Sequence, residues 1–317
     1  MYSENKIRQH TIYYLPGTGV VTDGALDNSS VNGPWTFTVP DGFLGDLMID
    51  CVSGGGGGAG GGNIAAVAGA NAISGGGGGG CLGIMGYQYM IFYPNEQITI
   101  TCGAAGIGGA VGVAGGQGGT TSVIPVTGGL TSANGCTNRS CVANISLAGA
   151  SVAQPGTALV YAGTAALGGS GHGGVGIGTA VGTPSNGVGA VAHISQYTFC
   201  TIYGVNGAPG GGTSNVNYGT GGAQASSASF TNTYLSFQFN GQLNQSNPSG
   251  LNAGSLKYGG GGVGASIPGS KGSTGGNGNT SASNATGYGG GGGGGGGNGA
   301  GGNGAPGYVR ITYISTD

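Results

Sequence analysis

Residues 97–119 read QITITCGAAGIGGAVGVAGGQGG, and the period changes inside that stretch. Gln97–Cys102 alternates apolar and polar residues, which is the pattern of a half-buried β-strand. From Gly103 the repeat becomes three: Gly103, Gly106, Gly109, Gly112, Gly115 and Gly118 recur at every third position. Three residues make one turn of a polyproline-II-type helix. A glycine on one face of every turn lets neighbouring helices come close enough to hydrogen-bond backbone to backbone. These six glycines are therefore read as scaffold positions.

The same succession occurs elsewhere in the chain. Trp35–Val39 (WTFTV) alternates, Pro40–Gly42 makes a turn, and Leu47–Val52 alternates again before entering Gly54–Gly58. Tyr87–Tyr93 (YQYMIFY), the turn PNE and Gln97–Cys102 are expected to form a β-hairpin. Tyr234–Leu243 carries an Asn-Gly pair, a strong hairpin signal. Gly269, Gly272, Gly275 and Gly278 are again three apart. Gly289–Gly297 is an unbroken run that at about 3.1 Å per residue extends roughly 28 Å. Tyr308–Ile314 (YVRITYI) is a closing strand.

Of 317 residues 84 are glycine, so a large conventional core is not expected. Collagen is excluded by a proline count of only 11. A flexible linker does not fit tracts that are periodic and interleaved with strands. No segment shows a sustained helical period, and glycine costs about 1 kcal/mol per position inside a helix. The expected fold is all-β and irregular: a polyglycine-II bundle or sandwich combined with short antiparallel strands, without α-helix. Residues 1–33 are read as an N-terminal arm or attachment segment. Residues 34–317 are read as one glycine-rich domain with a loop-rich insertion at about 120–258.

Charged residues are 4% of the chain, with a net charge of −2. Between Arg139 and Lys257 there is no Asp, Glu, Lys or Arg. Nucleic acid is excluded as a partner, since its binding rests on many Lys and Arg contacts to phosphate. No apolar run is long enough for a membrane span, and MYSENKIRQH lacks the apolar region of a signal peptide.

Chemistry is sparse. Catalysis needs paired titratable groups or a nucleophile beside a base. His10, His172 and His193 have no such neighbour in sequence, so no catalytic residue is assigned. The glycine runs lack GxxxxGK[ST], and no cofactor site is assigned. Cys51 and Cys102 end apolar alternations and are read as small buried hydrophobes. Cys136 and Cys141 are open to two readings, a local disulfide or part of a metal site. No second CxxC or nearby His supports the latter, and no metal is assigned. Tyrosine is abundant (15) in Ser-, Thr- and Asn-rich surroundings. Tyr218, with Asn215 and Asn217, is the candidate recognition group, because Tyr offers a large rigid contact area at low entropic cost.

Four segments in order resemble the glycine-rich domains of bacteriophage tail fibres and adhesins. They are WTFTVPDGFLGDLMIDCVSGGGGGAGGG, GGGGGGCLGIMGYQYMIFYPNEQITITCGAAGIGG, GGQGGTTSVIPVTGG and GGGGGNGAGGNGAPGYVRITYI. The resemblance implies stacked polyglycine-II helices whose intervening loops contact a host surface protein or glycan. Here those loops would lie in 63–74, 130–167, 184–203 and 213–258. It also implies a virion protein made in the host cytoplasm, joined to other virion proteins through residues 1–33 and assembled as a homo-oligomer such as a trimer. Two other functions fit a glycine scaffold: a self-assembling surface filament or coat subunit, and an ice-binding protein.

Overall fold

The computed structural model describes residues 6–63, 65, 72–74, 76–77, 79–80, 85–126, 145–147, 153–154, 158–160, 193–194, 201–202, 229–231, 236–238, 251–253, 256–258, 275–277 and 279–316. These residues are all-β, with antiparallel sheets and no α-helix, as expected.

The described residues form eighteen strands. They are β1 (Ile7–Leu15), β2 (Gly19–Thr22), β3 (Ala25–Asp27), β4 (Trp35–Thr38), β5 (Phe43–Val52), β6 (Ala72–Ser74), β7 (Met85–Ile91), β8 (Gln97–Thr101) and β9 (Thr121–Pro125). Then come β10 (Ile145–Leu147), β11 (Ala158–Val160), β12 (His193–Ile194), β13 (Thr201–Ile202), β14 (Ser229–Thr231), β15 (Ser236–Gln238), β16 (Leu251–Ala253), β17 (Leu256–Tyr258) and β18 (Tyr308–Thr316).

A six-stranded sheet runs β3-β2-β1-β18-β5-β7, and a four-stranded sheet runs β10-β9-β8-β4. Every pairing in these two sheets is antiparallel. A second four-stranded sheet, β11-β6-β17-β16, includes one parallel pair, β17 with β6. β12 pairs with β13 and β14 with β15.

Alternation aims one face of each main strand inward. Ile12 and Tyr14 of β1, Leu47, Ile49 and Cys51 of β5, and Val309 and Ile311 of β18 meet Trp35 and Phe37 of β4, Ile98 and Ile100 of β8, and Val123 of β9 in one core. Leu47, Ile49, Ile98, Ile100 and Ile311 are wholly buried. Each such side chain contributes about 1.5–3 kcal/mol of hydrophobic stabilisation. Among the described residues this cluster joins side chains of the two main sheets.

Two expectations change. Residues 7–27, placed above in an arm, form β1, β2 and β3. β1 pairs with β18 along eight residue pairs, and Ile12 and Tyr14 enter the core. The sheet therefore has no boundary at residue 33. Likewise β7 and β8 are not a hairpin. β7 pairs with β5, whereas β8 pairs with β4 and β9. The turn between them is a corner from one sheet to the other. Asn95 N–H donates to Val39 O at 2.8 Å, and Val39 N–H donates to Glu96 O at 2.9 Å. Buried Val39 and Phe92 anchor that corner over the core, and Asn95 accepts the left-handed φ of 66° that it needs. β15 pairs back to β14, and the Asn240-Gly241 turn lies outside the described residues.

The glycine tracts extend from the ends of these strands. β5 leads into 53–62, β8 into 103–110, 113–119 leads into β9, and 299–307 leads into β18. The tracts are extended but are not sheet strands, and bonds between them recur every third residue. Gly54, Gly57 and Gly60 donate to Gly119, Gly116 and Val113; Gly55, Gly58 and Gly61 donate to Ala305, Gly302 and Gly299. Gly106, Gly109 and Gly112 donate back to Gly55, Gly58 and Gly61.

Candidate functional site

Every residue of the tract 53–62 is buried, as is every residue of 289–297. The 53–62 tract exchanges hydrogen bonds with 103–110, 113–119 and 299–307, and it accepts from Gly292 and Gly295 of the 289–297 tract at 2.9 and 2.8 Å. A Cβ at Gly57 would stand 2.1 Å from the carbonyl oxygen of Ile107, and one at Gly58 would stand 1.9 Å from that of Gly293. Only glycine permits these backbones to approach so closely.

The predicted scaffold glycines take part in this lattice. Gly106 and Gly109 donate to the central tract at 2.8 Å, and Gly112 does so at 2.7 Å. Gly112 has φ +74° and marks the point where the chain turns back toward 113–119. Gly115 donates to Ala153 O, and a Cβ on Gly118 would meet Gly54 O. Gly103 donates to Thr121 Oγ1 at 2.8 Å, and that hydroxyl donates in turn to Val52 O at 2.8 Å. Thr121 is fully buried, so it ties the end of β5 to the first glycine of the next tract. The sequence reading did not single it out.

The recognition candidates Tyr218, Asn215 and Asn217 lie outside the described residues, as do Cys136, Cys141, His172, Gly269 and Gly272. Cys51 is buried as expected, and Cys102 is half-buried. The Cys102 thiol donates to Tyr14 O at 3.4 Å. Burial pushes its pKa up to about 12, which leaves it a poor nucleophile.

Two side-chain pairs were not visible in sequence. His10 Nδ1 lies 2.6 Å from Asp23 Oδ2, and Thr11 N–H donates to Asp23 Oδ1 at 2.7 Å. That backbone donor, with His10 behind it, holds the Asp23 carboxyl below the usual carboxylate range. The His10 ring stacks on Tyr313 at 5.0 Å. The β1–β2 pairing brings the two together, because Ile12 faces Thr22 across a tight turn. Separately, Arg310 donates to Asp50 Oδ2 from Nε at 2.8 Å, with Nη2 at 2.7 Å. Burial pushes the Asp50 carboxyl up, and Arg310 opposes that shift. Cross-strand register places Arg310 opposite Asp50.

Among the described residues no group of three or more His, Cys, Asp or Glu could hold a metal ion, and no helix is long and apolar enough to cross a membrane.

Among the described residues, the lattice presents a regular exposed row. Ala104, Ile107 and Ala110 are exposed at every third position of one tract, with Ile107 at 73%. Asn303 is exposed on the adjoining tract and Ser281 and Asn284 on the one beyond it. No protein-family model and no curated protein matches the chain.

Proposed function

We propose that this protein is a viral structural protein, a bacteriophage fibre, spike or adhesin that attaches to a host surface. The observation that carries the proposal is the wholly buried 53–62 tract, bonded through its backbone to four neighbouring tracts. The period-three bonding fits polyglycine-II helices, which would make the lattice a rigid platform. Rigidity favours recognition, since loops held on a stiff support lose less entropy on binding. The partner would be a host surface protein or glycan, contacted by Tyr218, Asn215 and Asn217 in the 213–258 segment. Attachment to other virion proteins would use the folded surface of residues 7–33 rather than a detachable arm. The working form would be a homo-oligomer, such as a trimer.

The test is saturable binding of labelled full-length protein to a panel of bacterial strains with different surface glycans and outer-membrane proteins. The proposal expects binding to a subset of strains. A Tyr218→Ala, Asn215→Ala, Asn217→Ala variant with an unchanged circular dichroism spectrum should lose it. Absence of saturable binding across the panel, with open filaments in the electron microscope, would replace this reading with that of a self-assembling filament.

A further inference from the structure

Three Asn-Gly pairs lie wholly within the described residues: Asn32-Gly33, Asn298-Gly299 and Asn303-Gly304. In such a pair the backbone nitrogen of the glycine can attack the side-chain carbonyl carbon of the asparagine, because glycine has no Cβ to shield it. Whether it does so depends on what holds the glycine N–H.

Two of the pairs belong to the glycine lattice. Gly299 N–H donates to Gly296 O at 2.7 Å, and Gly304 N–H donates to Gly106 O at 2.8 Å. The Asn303 side chain is held as well, since its Oδ1 accepts the Gly108 N–H at 2.7 Å. Attack at either pair first requires a lattice bond to open. Asn32-Gly33 lies instead between β3 and β4, and Asn32 is exposed. Among the described residues the Gly33 N–H meets no acceptor.

The residues around Asn32 are fastened on both sides. Gly17 N–H donates to Val31 O at 2.8 Å, and Trp35 Nε1–H donates to Ser30 O at 2.9 Å. Gly33 packs against the Trp35 ring, and a Cβ there would stand 2.5 Å from Cε3. Trp35 therefore demands glycine at 33, and that demand leaves the 32–33 link open to attack. Trp35 itself belongs to the core, with its ring 5.7 Å from that of Tyr14.

We infer that Asn32 is a self-modification site, converted without an enzyme to an acid that loosens this loop from Trp35. Gly33 N bonds to Asn32 Cγ, the Cγ–Nδ2 bond breaks, and the side-chain nitrogen leaves with the Gly33 proton as ammonia. The product is a five-membered cyclic imide, which water then opens. Cleavage of the N–Cγ bond leaves aspartate on an unchanged main chain. Cleavage of the bond from N to the main-chain carbonyl carbon leaves isoaspartate, whose main chain runs through Cβ and Cγ and is one methylene longer. Either acid is negatively charged at neutral pH. The extra length falls between Val31 and Gly33, so the bonds to Gly17 and Trp35 and the packing of Gly33 cannot all be kept. The inference is independent of what the protein attaches to.

Full-length wild type and Asn32→Gln are incubated at mildly alkaline pH, both folded and in urea. Asn32→Gln keeps the amide but would have to close a six-membered ring, which forms far more slowly. Peptide mapping by mass spectrometry follows each conversion of amide to acid. In the folded protein Asn32 should convert at least about tenfold faster than Asn298 or Asn303, whose glycine amides must first open. In urea the three rates should converge. Trp35 is the single tryptophan, so its emission should shift to the red as Asn32 converts. Aged Asn32→Gln should keep the emission of fresh protein. The inference is overturned if folded Asn32 converts no faster than the lattice pairs, if the same ranking persists in urea, or if Asn32 converts and Trp35 emission stays unchanged.

Discussion

Replacing Gly57 by Ala tests whether backbone contact holds the lattice together. The added Cβ would lie 2.1 Å from Ile107 O and 2.4 Å from Ile107 C. Both atoms are main chain, so no rotamer change relieves the clash. Reaching ordinary contact requires the 103–110 tract to withdraw by about 1 Å, since carbon contacts settle near 3.5 Å. Three bonds from Gly106, Gly109 and Gly112 cross that gap at 2.7–2.8 Å. A shift of about 1 Å takes them past the roughly 3.2 Å limit of a sound N–H···O bond. Three losses at about 1–1.5 kcal/mol each, the upper part of the usual range because the stranded groups are buried, give about 3–4.5 kcal/mol of destabilisation. The stiffer unfolded chain of an alanine variant returns only about 0.4–1 kcal/mol. The net effect should lower the urea midpoint by about 1–2 M. Trp35 is the single tryptophan and is buried in the core, so its fluorescence reports the sandwich. Hydrogen exchange at 55–61 reports the lattice. Ile107→Ala is the control, because that side chain is 73% exposed and should cost less than about 0.5 kcal/mol. A Gly57→Ala midpoint equal to that of wild type would refute the reasoning.

Thr121→Val should destabilise by about 2–4 kcal/mol, since it strands the buried Gly103 N–H and Val52 O; Thr121→Ser should recover most of this in the same denaturation assay. Cys102 should alkylate at least about a hundredfold more slowly than a free thiol at mildly alkaline pH, read peptide by peptide by mass spectrometry, because burial raises its pKa. The stability that Asp23 gains from its lowered pKa should be fully present above about pH 4, near the unfolded value, and should be lost as pH falls through the folded one. Measured as wild type minus Asp23→Asn between acid and neutral pH, it should stay below about 1 kcal/mol, since the carboxylate is exposed. Deleting residues 1–33 should abolish soluble folded protein by removing Ile12 and Tyr14 from the core and baring β18, whereas deleting 1–5 should leave the circular dichroism spectrum unchanged.

The alternations at Trp35–Val39, Leu47–Val52, Gln97–Cys102 and Tyr308–Ile314 were legible because a sheet with one buried face imposes a period of two. Residues 7–14 were harder to read, since the sheet buries only Ile12 and Tyr14 there and the surrounding positions are mixed. The hairpin expected at 87–102 was a local inference. Burial of Val39 and Phe92 overrode it by turning the chain from one sheet to the other. The His10–Asp23 and Asp50–Arg310 pairs depend on strand register, and nothing local to either residue announces its partner.

From the sequence alone come the all-β character, the strand-to-tract junctions and the glycine period, because each rests on residues close together in the chain. Tertiary structure alone decided which tracts adjoin one another and where side chains add bonds between them. The bonds that make those choices run between backbone groups common to every glycine, so one tract carries almost no local label to distinguish it from another. The label sits at the exceptions, Thr121 at a junction and Ser281, Asn284 and Asn303 between adjoining tracts, where side-chain hydrogen bonds join the backbone ones.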